Sequence, residues 1–254
     1  MKKKHVFIEI NPTHPGEKEK PINGIPSMVT YSNRMNDIGF YGLSLRESRL
    51  FMAIMAGMHD KGDGIQKFTF AELKEIMGED PKTSRADFNQ IVQQAASKMA
   101  GTNIRLVNDD GAWKIFILFS KFEGDPNEGV ITVQTNKEFM RLLNCLNENY
   151  TQVNLPQYVS LKSRYSQILF RKLSQFKNIH GKSCYITLDN LKKLFEVDER
   201  NAEMCETKYI NKFMLYPAIE ELNSISEFRY LRLDKERMKS QRPIHIYYFI
   251  WSKQ

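Results

Sequence analysis

Apolar residues recur at helical spacing in three consecutive segments of the first half of the chain. The segment 44–59 opens with Ser-Leu-Arg-Glu, a capping box in which the hydroxyl and the carboxylate each accept a backbone N–H, and it predicts the first helix. The segment 69–78 opens with Thr-Phe-Ala-Glu and predicts a short second helix that stops at Gly78. A third amphipathic helix is predicted to begin near Thr83 or Ser84.

After the third helix the apolar positions change from a helical period to alternation, which is typical of strands. Strands are predicted at 104–107, 113–119 and 130–133, and the turn residues between the first two predict a β-hairpin. Three helices followed by a hairpin is the element order of a winged helix. The first half of the chain is therefore predicted to form one winged-helix domain.

The second half of the chain repeats this order. Three helices and then two strands are predicted there, at 158–177, from Thr187, at 207–223, at 228–233 and at 244–251. The two strands flank a basic loop. Pro217 falls inside the third helix, where it removes a backbone donor, so it should kink that helix or start a new segment.

The residues themselves repeat as well as the elements. Residues 68–77 align with 186–195 at an offset of 118 positions, where Thr, Leu and Lys coincide and every apolar position matches. Two amphipathic helices of equal length can align by chance, but a repeated pattern with the same element order favours duplication. We predict an α+β fold of two tandem winged-helix domains, each a helix-turn-helix with a β-hairpin wing, related by internal duplication.

Proline and charge suggest how the chain is divided. Four prolines and two glycines predict a flexible N-terminal arm at 1–30, followed by winged-helix domains at 31–149 and 150–254. Residues 1–149 hold 19 Lys and Arg against 19 Asp and Glu, whereas the second domain holds 18 against 11, which is the whole net charge of +7. This asymmetry favours one domain for association and one for a polyanion such as nucleic acid, with a merely solvated Lys-rich surface as the alternative.

The second domain carries residue types suited to DNA. In a helix-turn-helix the third helix enters the major groove and the wing reaches the backbone or minor groove. Arginine can pair with guanine and asparagine with adenine, while lysine neutralises phosphate. Acids such as Asp198 and Glu206 would repel phosphate and favour a few aimed contacts. The candidate DNA-binding residues are Arg200, Asn201, Lys208, Asn211 and Lys212 in the turn and third helix, Ser163 and Arg164 at an earlier helix start, Arg237, Lys239 and Arg242 in the wing, and Lys82, Ser84 and Arg85 in the first domain.

Simpler roles remain open for two of these groups. The alternative for Ser163 and its neighbours is that they simply cap a helix. The alternative for the wing residues is that they form a solvated loop.

Patterns for catalysis and metal binding are missing from the sequence. The five histidines are scattered, and no phosphate-binding loop of the type Gly-x-x-x-x-Gly-Lys-Ser/Thr is present. Cys145, Cys184 and Cys205 show no Cys-x-x-Cys spacing, which suits a reducing cytosol. No apolar run reaches the roughly 20 residues of a membrane span, and no signal peptide is present. We expect a cytoplasmic, non-enzymatic protein with no cofactor, metal, membrane or small-molecule substrate.

Four motifs carry a resemblance to a known family. They are Leu-Ser-Leu-Arg-Glu-Ser-Arg-Leu at 43–50, Tyr-Thr-Gln-Val-Asn-Leu at 150–155, Leu-Lys-Ser-Arg-Tyr-Ser-Gln-Ile-Leu-Phe at 161–170 and Ala-Ile-Glu-Glu-Leu-Asn at 218–223. In this order and spacing they resemble the RepA/RepE-like replication initiators of iteron-containing plasmids, over about residues 27–252. The family more often has Leu-Tyr where this chain has Leu169 and Phe170.

The resemblance implies a function and a set of partners. The second domain would read directly repeated double-stranded origin sites, called iterons, through residues 200–212, with Ser163, Arg164 and Arg242 in support. The first domain would contact neighbouring backbone or mediate dimerisation. The monomer would open the origin and recruit host replication proteins such as a helicase or initiator, and the dimer would repress its own gene as part of plasmid copy control.

Two other functions compete with this one. A winged-helix transcriptional regulator would share the DNA chemistry, but it normally needs one such module and a dimer helix. A rolling-circle nicking enzyme would need a histidine pair, which the sequence does not have.

Overall fold

The computed structural model describes residues 25–36, 42–59, 61, 65–107, 110–144, 149–178, 183–238 and 244–251. The chain forms two compact units, the first ending at Val159 and the second beginning at Ser160. Each unit combines helices with small antiparallel sheets.

The first unit contains both helices and strands. They are β1 (Met28–Ser32), α1 (Leu45–Met58), β2 (Ile65–Thr69), α2 (Phe70–Met77), α3 (Arg85–Ala100), β3 (Asn103–Val107), β4 (Trp113–Ile117), β5 (Phe119–Asp125), β6 (Val130–Thr135), α4 (Lys137–Asn144), β7 (Tyr150–Asn154) and α5 (Leu155–Ser160), which runs to the division between the units. The second unit contains α6 (Arg164–Ser174), β8 (Ser183–Thr187), α7 (Leu188–Leu194), α8 (Thr207–Ile210), α9 (Tyr216–Leu222), β9 (Arg232–Met238) and β10 (Ile244–Ile250).

Capping residues fix the starts of α1 and α2 as the sequence predicts. Ser44 Oγ accepts the N–H of Glu47 at 3.3 Å, and the Glu47 carboxylate accepts the N–H of Ser44 at 2.6 Å. Thr69 and Glu72 form the same box before α2. That helix ends where Gly78 takes a left-handed conformation with φ of 63°, which glycine adopts without steric cost. Both predicted helices are therefore confirmed.

Aromatic residues form the centre of the core in the first unit. Phe51 of α1, Phe119 of β5 and Phe139 of α4 lie with ring centroids 5.3 to 6.3 Å apart. Gly57 lets α1 pass close to β2, because a Cβ at that position would lie 2.3 Å from the ring of Phe68. The apolar stripe of α1 thus packs against strands as well as against α2 and α3.

Strands from the two ends of the first unit pair with each other. β1 runs antiparallel to β7, with Val29 opposite Val153. Buried Asn36 donates to Thr151 Oγ1 at 2.7 Å and accepts the Tyr31 hydroxyl at 3.0 Å, so the polar groups beneath this ribbon are paired.

This pairing shifts two predicted boundaries. Because β7 belongs with β1, the first unit extends to Val159 and does not end at residue 149. The predicted arm at 1–30 is also too long, since β1 begins at Met28. The remainder of that arm, 1–24, lies outside the described residues.

The sheets of the first unit include the predicted hairpin. β3 and β4 pair antiparallel, and β2, β6 and β5 form a separate three-stranded sheet. The strand predicted at 113–119 is divided at Leu118 into β4 and β5. The sequence did not predict β2, because a five-residue strand that runs directly into a helix cap has little room to display alternation.

The second unit contains a three-stranded antiparallel sheet and an aromatic core. The strand order is β8-β10-β9, and Phe170 of α6 packs edge-on to Phe228, which packs on Trp251, at centroid distances of 5.4 and 5.6 Å. The helix predicted at 158–177 is interrupted at 161–163, so α5 and α6 are separate helices.

Two predictions near the wing are wrong. Residues 226–228 form a 3-10 turn and the strand begins only at Arg232, not at residue 228. β9 then continues to Met238, because it pairs along its length with β10. Most of the predicted basic loop is therefore strand, and 239–243 lie outside the described residues.

The motif at 218–223 holds α9 against the start of α6. Ala218 and Leu222 are fully buried, and α9 packs on α6. The carboxylate of Glu221 accepts the N–H of Lys162 at 2.5 Å and the N–H of Ser163 at 3.2 Å. Glu221 thus satisfies backbone donors at the break before α6, which helix α6 cannot satisfy itself.

We expect replacement of Glu221 to destabilise the second unit. The E221A substitution removes two charge-assisted hydrogen bonds and should lower the free energy of unfolding by about 2 kcal/mol in urea denaturation. E220A is the matched control, because Glu220 is the exposed neighbour on the same helix, and it should change stability by less than about 0.5 kcal/mol. Equal losses for the two variants would contradict this role.

Candidate nucleic-acid interface

The second unit contains a helix-turn-helix whose last helix is composite. α7 is followed by a turn at 195–206 and then by α8, a π-helical turn at Asn211–Leu215 and α9. We call residues 207–222 the composite helix. Its buried side is formed by Ile210, Met214, Leu215, Ala218 and Leu222.

Pro217 accounts for the change of helical form. The Tyr216 N–H donates to Asn211 O, five residues back, and Pro217 follows in the first turn of α9. Since proline has no N–H, the preceding turn can widen without losing a further hydrogen bond. The predicted start of a new segment at Pro217 is confirmed, to within one residue.

The exposed side of the composite helix carries cations and aromatic rings. Lys208, Lys212, Phe213 and Tyr216 are exposed there. Tyr209 packs against Phe213 with ring centroids 4.7 Å apart, and Lys212 Nζ lies 4.9 Å from the centre of the Phe213 ring. This surface combines positive charge with apolar area, as nucleic-acid interfaces do.

The wing strands hold the composite helix by two polar contacts. Tyr247 of β10 donates its hydroxyl to Asn211 Oδ1 at 3.1 Å. Lys235 of β9 bonds to the Tyr216 hydroxyl, with Nζ 4.6 Å from the centre of that ring. Burial raises the pKa of Tyr247 despite the opposing effect of Asn211, so the phenol stays protonated and keeps its donor. The helix is thus positioned relative to β9 and β10.

Two of the predicted DNA-binding residues, both in the turn, have partners within the protein. Arg200 is 91% exposed, yet its Nε and Nη2 lie 2.9 and 3.1 Å from the two carboxylate oxygens of Asp198. The hydrogen bond from Arg200 lowers the pKa of Asp198. Asn201 Oδ1 accepts the Met204 N–H at 3.2 Å and shapes the turn. A DNA contact by Arg200 would replace or share the Asp198 pair.

The residues at the start of α6 also have partners within the protein. Ser163 caps α6, accepting the Tyr165 N–H at 3.2 Å. Arg164 forms an ion pair with Glu196, whose carboxylate is nearly buried. These contacts favour the capping role for Ser163 that the sequence left open, and an ion-pairing role for Arg164.

The remaining predicted residues do not belong to the composite helix. In the first unit Ser84 caps α3 and bonds to Asp87 at 2.7 Å, Arg85 donates to Asn127 O at 2.5 Å, and Lys82 is exposed in the preceding turn. The backbone of Arg237 pairs with His245 in the wing sheet. Lys239 and Arg242 lie outside the described residues.

Sequence reasoning did not predict three residues of this surface, Phe213, Tyr216 and Lys235. The sequence pattern did not place the rings of Phe213 and Tyr216 on the exposed side of the helix. A regular helical period does not apply across the π turn, which changes the residues that face outward. Lys235 was placed in a loop, whereas it extends from β9. The available signal for Phe213 was an apolar residue directly after Lys212, which itself follows Lys208 at helical spacing.

Neither a metal-binding group nor an activated Cys184 thiol is found in the described parts of the chain. There, no three His, Cys, Asp or Glu residues are grouped so as to hold a metal ion. Burial raises the pKa of the Cys184 thiol to about 12, which keeps it protonated and unreactive. Among the same residues, no helix is both long and apolar enough to span a membrane.

Comparison with known families decides what these two units are. The family model described as Initiator Replication protein, WH1 matches residues 28–174, and the one described as Initiator Rep protein, WH2 matches residues 187–251. The chain belongs to the initiator replication protein family. The predicted family and the predicted pair of winged helices are thereby confirmed. The WH1 match includes α6, although α6 packs on α9 in the second unit.

Two individual proteins are similar to this initiator. The "Probable replication protein rep" of Bifidobacterium longum (strain NCC 2705) is 26% identical over 233 residues, which cover 89% of this chain and 73% of that protein. A crystal structure of the Pi initiator protein in complex with iteron DNA has a TM-score of 0.70 at 14% identity, covering 90% of this chain and 98% of the other. The second likeness establishes a shared fold.

The Tyr247 hydroxyl should stabilise the initiator more than the hydroxyl of the adjacent tyrosine. Y247F removes a hydrogen bond from a side chain that is 1% exposed, leaves Asn211 Oδ1 unpaired, and should lower the free energy of unfolding by about 1 kcal/mol in urea. Y248F removes only an exposed bond to Glu236 and should leave stability nearly unchanged. A larger loss for Y248F would exclude the positioning role of Tyr247.

Proposed function

We propose that this initiator starts plasmid replication by binding directly repeated double-stranded origin sites through its second unit. The observation that carries the proposal is the exposed side of the composite helix, where Lys208 and Lys212 flank aromatic rings beside the wing strands. The Pi initiator, which has the same fold, is in complex with iteron DNA. A winged helix uses this helix in the major groove.

Charge on this surface supports selective rather than indiscriminate binding. Lys208 and Lys212 can neutralise phosphates, while Asp198 and Glu206 disfavour close approach of the backbone at the turn. Side chains of the composite helix would then contact the base edges. Arg200 could also contact a base edge if its ion pair with Asp198 is broken. Asn211 is committed to Tyr247, so its part in base readout depends on sharing that bond.

Binding energy alone would drive the further steps of initiation. The bound protein would open the origin and recruit host replication proteins, such as a helicase or initiator, and as a dimer it would repress its own gene. We propose no catalysis by this chain and place its action in the cytoplasm, where the plasmid lies.

Replacement of both exposed lysines should weaken DNA binding and its salt dependence together. K208A/K212A should lower the slope of log affinity against log salt by about 2, because each phosphate contact contributes roughly 0.9. The slope is measured by fluorescence anisotropy between about 50 and 200 mM salt, on DNA from the replicon that carries this gene. Over that range, the loss of two phosphate contacts removes about one decade from the fall in affinity. K67A/K121A removes the same charge from exposed strand positions of the first unit and should leave the slope unchanged.

A salt-independent affinity of the unaltered protein would contradict the DNA-binding proposal. Accumulation of nicked circles when the protein meets supercoiled origin plasmid and a divalent metal would contradict the absence of catalysis.

For the first unit we propose self-association through the β3–β4 hairpin. Val107, Trp113, Ile115 and Ile117 lie on one face of this two-stranded ribbon and are exposed, Trp113 at 64%. The half of the chain that contains them has no net charge, which suits a protein partner better than a phosphate backbone. This face is mostly apolar, with Arg105 opposite Ile115, and it is a surface that a second copy can cover.

Charge placed on this hairpin should separate the copies. We expect W113K/I115K to raise the dissociation constant for self-association at least about tenfold in sedimentation velocity, because two apolar anchors are lost. I65K is the control, since Ile65 is a similarly exposed apolar residue of the same unit on β2. An unaltered dimer in the double variant would place the contact elsewhere.

A further inference from the structure

Phe213 is an exposed aromatic residue without a structural role in the core. Its side chain is 51% exposed, whereas the buried side of the composite helix is already filled by Ile210, Met214 and their neighbours. The ring is held by Tyr209 at a centroid distance of 4.7 Å and by Lys212, whose ammonium lies 4.9 Å from its centre. Phe213 therefore presents a fixed apolar surface to solvent.

The neighbours of Phe213 indicate what kind of partner this surface fits. Lys212 places its ammonium group beside the ring, Lys208 is exposed on the same helix, and Lys235 approaches that helix from β9 through Tyr216. A protein partner would have to bury these ammonium groups with the ring, at a cost in desolvation. A polyanion would neutralise them, so nucleic acid fits the surface better.

The chemistry of the major groove indicates which base the Phe213 ring can contact. Phosphates and the base edges of guanine, adenine and cytosine present polar atoms there, whereas thymine presents a C5-methyl group. A phenyl ring has no hydrogen-bond donor or acceptor, so the contact it can make with a base edge is an apolar one. Tyr216 differs, because its hydroxyl is bonded to Lys235.

We propose that Phe213 contacts the C5-methyl group of a thymine in the bound site and makes the protein prefer thymine at that position. The inference rests on the proposed DNA-binding function and deepens it, because it assigns one specificity-determining residue. Lys212 would contact the adjacent phosphate and hold the ring in place.

A methyl-deletion experiment tests this contact. The probe is the duplex that the full-length protein enriches most strongly from a random-sequence library, synthesised with each thymine replaced in turn by deoxyuridine, which lacks only the methyl group. For the unaltered protein, one replacement should weaken binding about fourfold, the effect of burying one methyl-sized group. F213A should bind the thymine and uracil duplexes equally, and F213L should retain part of the difference.

A matched variant controls for general effects of removing an aromatic ring. Y230A replaces another half-exposed ring of the second unit, outside the composite helix, and should keep the full fourfold preference. Thermal melts of all variants check folding.

The possible failures are distinguishable. If the protein enriches no sequence and its affinity does not depend on salt, the proposed function itself fails. If it binds a sequence with normal salt dependence but no uracil replacement weakens binding, or F213A keeps the same thymine preference, the Phe213 contact is wrong while the function stands. If F213A binds the thymine duplex as tightly as the unaltered protein does, the ring contributes nothing to DNA affinity, and the proposed contact is excluded as well.

Discussion

The burial of one side of the composite helix is the interaction on which the second unit depends. Ile210, Met214, Ala218 and Leu222 are fully or almost fully buried, and together they fix which side chains of that helix remain outside. The buried residues have no polar groups to satisfy, so this packing can be close and rigid. Lys208, Lys212, Phe213 and Tyr216 are outside because these residues are inside.

Polar contacts at the two ends of this helix determine its direction. At its start Asn211 accepts from Tyr247, and near its end Glu221 accepts from the backbone before α6. Loss of the Tyr247 bond, or of the bond from Glu221 to the Ser163 N–H, would leave a part-buried polar group unpaired, which costs more than the bond contributes when intact. A recognition surface held in this way loses little conformational entropy on binding, which favours affinity and specificity.

How much was predictable depended on whether the signal was local. The capping boxes at Ser44 and Thr69 predicted α1 and α2 correctly, since a cap is defined by residues three positions apart. The pairing of β1 with β7 joins residues about 120 positions apart, which no local pattern encodes, and so the domain boundary was misplaced. In the candidate site, sequence placed Lys208 and Lys212 on an exposed helix, but it could not foresee that Asp198 engages Arg200 or that Tyr247 engages Asn211. Those pairings depend on tertiary geometry.

We propose that the second unit reads base edges in the major groove of repeated DNA. Methylation protection on the DNA of the plasmid that carries this gene tests it most directly, because dimethyl sulfate attacks guanine N7 in the major groove. Protected guanines are expected in several direct repeats about two helical turns apart, with the same pattern in each repeat. Unprotected guanines throughout, or protection confined to a single inverted repeat, would contradict it.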